Sequence, residues 1–127
     1  LEGHSDADAA LHSAIDAILS AAHLGNIGKL FPSSDKSYEN IRSTILLKRV
    51  AELIENRGYA LINLSTVIIA QQPRLSGYLE KMEHEIAEIL HLGSGDVSIS
   101  AKTNDEMGFI GKAEGVAAYS VCLVRKL

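Results

Sequence analysis

The chain is 127 residues long, which leaves room for one domain with a real hydrophobic core. Apolar residues make up 46% and charged residues 22%, with a formal net charge of −4. That composition excludes low-hydrophobicity disorder, and it argues against a general nucleic-acid binder, which needs a basic stripe to displace counterions. No apolar run approaches the roughly 18 residues that span a bilayer, so no membrane partner is expected. The lone Cys122 has no internal disulfide partner, which favours a reducing compartment. The chain opens Leu1-Glu2-Gly3 rather than on Met, so a front portion, with any targeting segment it carries, is expected before Leu1.

Residues 6–23 are predicted to form a helix, because Ala9, Ala10, Leu11, Ala14, Ile15, Ala17, Ile18, Leu19 and Ala22 recur at three-to-four spacing. Its alanines allow close packing, with Ser5 or Asp6 as N-cap and Gly25 as stop. A loop rich in turn formers follows over 26–35. A second helix is predicted over 37–56, with Ile41, Ile45, Leu46, Val50, Leu53 and Ile54 inward and Gly58 at its end. Residues 61–70 read as a strand that Pro73 cannot extend, and 76–91 as a third helix burying Leu79, Met82, Ile86, Ile89 and Leu90 before Gly93. The strict alternation of 97–102 predicts a strand with one wet face. The last strand, 116–124, is apolar on both sides except at Ser120 and Cys122, so both of its faces are expected to be covered. The expected fold is α/β (α+β), a mixed sheet with helices on one face and its other face against a second subunit.

The densest polar cluster is His4-Ser5-Asp6-Ala7-Asp8-Ala9-Ala10-Leu11-His12. Asp8, His12 and Asp16 lie at i, i+4, i+8 and share one helix face. An imidazole one turn from a carboxylate can serve as a metal ligand with its orienting partner. A capped helix start with solvated acids accounts for the same pattern. Gly25-Asn26-Ile27-Gly28-Lys29 fails as a P-loop, since His23 stands at the first glycine and Leu30 where Ser or Thr should meet magnesium. Thr103-Asn104-Asp105-Glu106 combines hydroxyl, amide and carboxylate at a strand end, which suits a phosphate with its magnesium and suits an ordinary turn equally. His23, His84 and His91 read as surface or helix-end residues, and Cys122 as core.

Five stretches in order carry more than each does alone. They are His4 to His12, Ile27 to Pro32, Ile68 to Pro73, Ala101 to Asn104, and Gly108 to Gly115. Their sequence resembles the 2-C-methyl-D-erythritol 2,4-cyclodiphosphate synthase family over essentially the whole chain. The resemblance implies a single domain over 1–127 that converts 4-diphosphocytidyl-2-C-methyl-D-erythritol 2-phosphate to the cyclic diphosphate and releases CMP. It implies a phosphorus-oxygen lyase of the non-mevalonate isoprenoid pathway, cytoplasmic or plastid. It further implies a homotrimer in which three sheets face one another and the active sites lie between subunits.

By the same resemblance, His12 is a zinc ligand and Asp105 a ligand of a second metal, magnesium or manganese. His4 and Thr103 carry the catalytic roles, and His4 with Ser5 contacts the diphosphate. Asn26, Ile27 and Gly28 touch the erythritol hydroxyls, and Phe31, Pro32, Ser33, Ser34 and Asp35 form a flap over them. Ala70, Gln71, Gln72, Pro73, Arg74, Leu75 and Ser76, with Lys102, Thr103, Asn104 and Asp105, form the cytosine and phosphate pocket. Phe109 and Lys112 lie near the trimer centre, where an isoprenoid diphosphate is expected.

Asn26 stands where Asp is common, Ser33 replaces an acid, Asp105 replaces a longer Glu, and Lys112 keeps the charge of an Arg without its fork. The family's remaining zinc ligands, an Asp-x-His on an N-terminal strand, have no counterpart here, so either the N-terminal strands are lacking from this chain or the zinc site has been lost. One imidazole does not hold zinc tightly. The 127-residue form is therefore expected to turn over poorly, and normal CMP release from it would contradict this. A non-catalytic trimeric nucleotide- or diphosphate-binding scaffold is the alternative.

Overall fold

The structure, a computed structural model, describes residues 2–32, 42–70, 76–102 and 116–127. The first helix, α1 (Glu2–Ala21), starts earlier than predicted, so Ser5 and Asp6 lie inside its first turns and do not cap it. Alanine is the strongest helix former, and the run Ala7, Ala9, Ala10 carries the helix back past both candidates. A single turn, α2 (Ile27–Leu30), forms within the expected loop. The helix α3 (Ser43–Asn56) follows, then the strand β1 (Tyr59–Ile69), the helix α4 (Ser76–Leu90), a 3-10 turn at Ser94–Asp96, and the strands β2 (Val97–Lys102) and β3 (Ala117–Lys126). Of the predicted second helix, 37–41 lie outside the described residues.

Two of the helix stops differ from expectation. At the end of α1 the Leu24 N–H donates to Leu19 C=O and the His23 N–H to Ser20 C=O, with His23 at φ 59°. At the end of α4, Leu92 donates to Ala87, His91 to Glu88, and His91 sits at φ 56°. Both are Schellman motifs, in which one left-handed residue lets two N–H groups satisfy terminal carbonyls. That residue is histidine in each case, and Gly25 and Gly93 come two positions later. Gly58, at φ 85°, ends α3 as predicted.

The sheet order is β2-β1-β3. β1 and β2 run parallel across the α4 connection, with Ile69 beside Lys102. β1 and β3 are antiparallel, with a bulge between Leu61 and Asn63. The inner face carries Leu64, Thr66 and Ile68 of β1 and Val97 and Ile99 of β2, all buried. α1 crosses β3 and β1, α4 lies on β2, and α3 fits between α1 and α4. Leu47 is buried in place of Ile45, which is 44% exposed, because the buried stripe of α3 runs through 43, 46, 47, 50 and 54. A hydroxyl chain joins α1 to the sheet: Ser13 Oγ donates to Ser120 Oγ at 2.8 Å, and Thr66 Oγ1 lies 2.7 Å from the same oxygen. The Glu83 carboxylate accepts the Ile99 N–H at 2.8 Å, which satisfies a backbone donor on the edge strand β2.

The outer face of β3 is bare within one chain. Tyr119, Val121 and Leu123 are 64%, 73% and 55% exposed. The sequence reading sets this face against a second subunit, and among the described residues of the single chain nothing covers Tyr119, Val121 and Leu123. Alternation along β3 puts Ser120 and Cys122 on the helix side and this apolar stripe on the other. Among the described residues, no helix is long and apolar enough to cross a membrane.

Candidate active site

Asp8, His12 and Asp16 are all exposed along one side of α1, while Ala7, Leu11, Ile15 and Leu19 are buried on the other. The three polar residues do not act on one another directly. Ser43, the first residue of α3, reaches across from the neighbouring helix: its Oγ donates to Asp8 Oδ1 at 3.0 Å and lies 3.1 Å from His12 Nε2. Only 8% of Ser43 is exposed. Sequence reasoning had no signal for Ser43, because α3 supplies it from 31 residues further along the chain.

Serine, histidine and aspartate also make up the hydrolytic triad, but the order here is different. In a triad the carboxylate holds the second imidazole nitrogen and leaves the hydroxyl to attack. Here the carboxylate takes the hydroxyl proton, and the hydroxyl is buried. The arrangement orients an imidazole and provides no nucleophile. Cys122 provides none either: burial pushes its thiol up from the ordinary range, which disfavours the reactive thiolate.

Asp16 has a separate task. Its Oδ1 accepts the Ile27 N–H at 2.8 Å, while Asn26 caps α2 by accepting the Lys29 N–H on its own Oδ1 at 2.9 Å. The segment 26–28 is thus pinned to α1 one turn beyond His12. The Asn26 oxygen is engaged in capping, which leaves the side-chain amide N–H groups as its outward-facing chemistry. Gly28 lies outside the left-handed region, and among the described residues a Cβ there would meet only Asn26 Oδ1, at 3.5 Å. Neither backbone conformation nor packing among the described residues requires glycine at this position. Phe31 and Pro32 follow α2 partly buried.

At the other end of β1, the Ala70 N–H donates to Lys102 C=O at 3.0 Å. Ala70 and Lys102 therefore meet at the C-terminal ends of two parallel strands, the position where open sheets receive ligands. His4 and Ser5 fall in the first turns of α1 and Ser76 begins α4, with their side chains outside the described residues. Ser33, Ser34, Asp35, Gln71, Gln72, Pro73, Arg74, Leu75, Thr103, Asn104, Asp105, Phe109 and Lys112 also lie outside the described residues. Among the described residues there is no group of three potential metal donors. His12, exposed and held by Ser43, fits one ligand position. A cleft of about 550 Å³ is lined by its partners Asp8 and Ser43 together with Leu11 of α1, Arg42 before α3, and Tyr78 and Glu85 of α4, and His12 itself is not part of the lining.

The fold and site define an α+β domain that presents an oriented imidazole on a helix and a ligand-receiving edge at the ends of parallel strands. A family model described as the YgbB family matches residues 1–125. The chain belongs to this family. It is 46% identical over 124 residues to the 2-C-methyl-D-erythritol 2,4-cyclodiphosphate synthase of Clostridium acetobutylicum, covering 98% of this chain and 80% of that one. It is 44% identical to the same-named protein of Chlorobaculum parvum, covering 99% and 80%. Among solved structures, the bifunctional IspDF of Campylobacter jejuni superposes with a TM-score of 0.87 at 37% identity, covering 92% of this chain and 32% of that one. The CDP complex of Plasmodium falciparum IspF superposes with a TM-score of 0.79 at 28% identity, covering 91% and 69%.

Proposed function

We propose that this protein is a 2-C-methyl-D-erythritol 2,4-cyclodiphosphate synthase. It converts 4-diphosphocytidyl-2-C-methyl-D-erythritol 2-phosphate to the cyclic diphosphate and releases CMP, in the non-mevalonate route to isoprenoid precursors. The observation that carries this reading is identity of 46% to a relative of that name over nearly the whole chain.

An oxygen of the substrate's own 2-phosphate attacks the β-phosphorus. One P–O bond forms, the bond from the β-phosphorus to the oxygen bridging it to the α-phosphorus breaks, and CMP leaves with the electron pair. The protein supplies no covalent nucleophile, so its work is positioning and charge neutralisation. Asn26, Ile27 and Gly28, fixed to α1 through Asp16, hold the erythritol hydroxyls. The junction of Ala70 and Lys102 supports the pocket that reads cytosine. His4, Ser5 and Thr103 donate to the phosphates, with Phe31 to Asp35 closing over the sugar.

His12 would contribute one imidazole to a zinc ion, and Asp105 one carboxylate to magnesium or manganese. When bound, such cations neutralise charge on the diphosphate. The stripe of Tyr119, Val121 and Leu123 is proposed to face two further copies in a homotrimer, with Phe109 and Lys112 near its centre beside an isoprenoid diphosphate. A cytoplasmic or plastid location belongs to the same proposal.

The test is a His12→Ala variant assayed for CMP by chromatography. The variant is expected to stay folded, because His12 is exposed, and to lose CMP release. A folded variant with undiminished CMP release would contradict the role given to His12.

A further inference from the structure

The hydrogen bonds around Ser43 settle which nitrogen of His12 is available. A serine hydroxyl has one proton to give. Ser43 gives it to Asp8 Oδ1, at 3.0 Å. Toward His12 Nε2, 3.1 Å away, the same oxygen can then only accept. A neutral imidazole carries one N–H, so that proton sits on Nε2 and the lone pair on Nδ1. The structure assigns Ser43, backed by Asp8, as a positioning residue that holds His12 in the Nε2–H tautomer and presents Nδ1 to a metal ion. The inference rests on reading His12 as a metal ligand, and it adds two residues that none of the roles above includes.

The location of the pair makes the constraint firm. Ser43 is buried between α1 and α3, where water competes poorly for its hydroxyl. Asp8 stands one turn before His12 on the same helix, so ring and carboxylate move as one body and the hydroxyl spans them. The carboxylate acts on the imidazole through this hydroxyl rather than directly. Partners of this kind fix the ring of a metal-bound histidine, and removing them costs about 10–100-fold in metal affinity.

The experiment uses the full-length protein labelled with ¹⁵N at histidine. Long-range ¹H–¹⁵N correlation spectra are recorded before and after zinc, with zinc affinity and CMP release measured on the same samples. The expected result is a protonated Nε2 and an unprotonated Nδ1 at His12, with zinc shifting Nδ1 and leaving the Nε2 proton in place. Ser43→Ala is expected to admit the second tautomer and to weaken zinc binding about 10–100-fold, while Ser43→Thr restores both. Should Ser43→Ala fail to fold, Asp8→Asn serves instead. An asparagine amide can donate to Ser43, which frees the serine proton for Nε2 and lets the other tautomer appear.

A proton on Nδ1 in the wild-type protein would overturn the assignment. So would zinc shifting Nε2, no zinc binding at His12, or unchanged tautomer and affinity in the variants. A wild-type protein with the stated tautomer and zinc response that releases no CMP would support the assignment and overturn the synthase reading instead.

Discussion

The carboxylate of Asp16 accepts the backbone N–H of Ile27 at 2.8 Å, so the helix carrying His12 also fixes the entry to α2. Asp16→Ala removes this bond from a helix start. The expected cost is about 1 kcal/mol of stability, as for the loss of an N-cap. On the proposed role of the 26–28 segment, which positions the sugar and takes no part in bond breaking, KM for the substrate is expected to rise with little change in kcat. Denaturant titration and steady-state kinetics check both.

Gly28 offers a cleaner separation of fold from function. A methyl group at this position meets nothing closer than 3.5 Å among the described residues, and alanine is the better helix former. Gly28→Ala is expected to leave the melting temperature unchanged or higher. On the proposed assignment of Gly28 to the erythritol hydroxyls, the added methyl should crowd the substrate and lower kcat/KM by about 10²-fold. A variant that loses stability along with activity would point to a packing role instead.

The stripe on β3 predicts the oligomer. Val121 is 73% exposed in the single chain, and an unpaired lysine buried against two other copies costs several kcal/mol. Val121→Lys is expected to convert a trimer to monomers in light scattering and to abolish turnover. A monomeric wild-type protein would refute the homotrimer.

The helix stops give a prediction about stability alone. His91 holds a left-handed conformation at φ 56°, which costs an L-residue roughly 1–2 kcal/mol, offset in part by the greater chain entropy glycine loses on folding. His91→Gly is expected to stabilise the protein by about 0.5–1 kcal/mol in chemical denaturation.

Much of this architecture was legible in the periodicity. Most of the apolar sets of α1 and α4 reappear as buried stripes, with Ala9, Ala17, Leu79 and Ile89 only partly buried and Ala87 buried though not predicted. The alternation of β2 holds at Val97 and Ile99, since local spacing decides which side chains share a face. Helix ends were less legible: two stops fall on histidines that adopt the left-handed conformation because the Schellman hydrogen bonds repay it. Asp8 was visible as a companion of His12 one turn away, whereas the hydroxyl joining them was not, because α3 delivers Ser43 only through the fold. The resemblance gives Asn26 a substrate-contact role as an expectation, whereas its engagement as the cap of α2 depends on a turn that the loop composition concealed.

Intramolecular phosphoryl transfer leaves a signature that ³¹P NMR reads directly. The protein is incubated with 4-diphosphocytidyl-2-C-methyl-D-erythritol 2-phosphate, zinc and magnesium. The expected spectrum shows the cyclic diphosphate and CMP rising together in equal amounts as the substrate resonances fall. Substrate left unchanged, or CMP appearing beside a linear hydrolysed phosphate rather than the ring, would contradict the assignment.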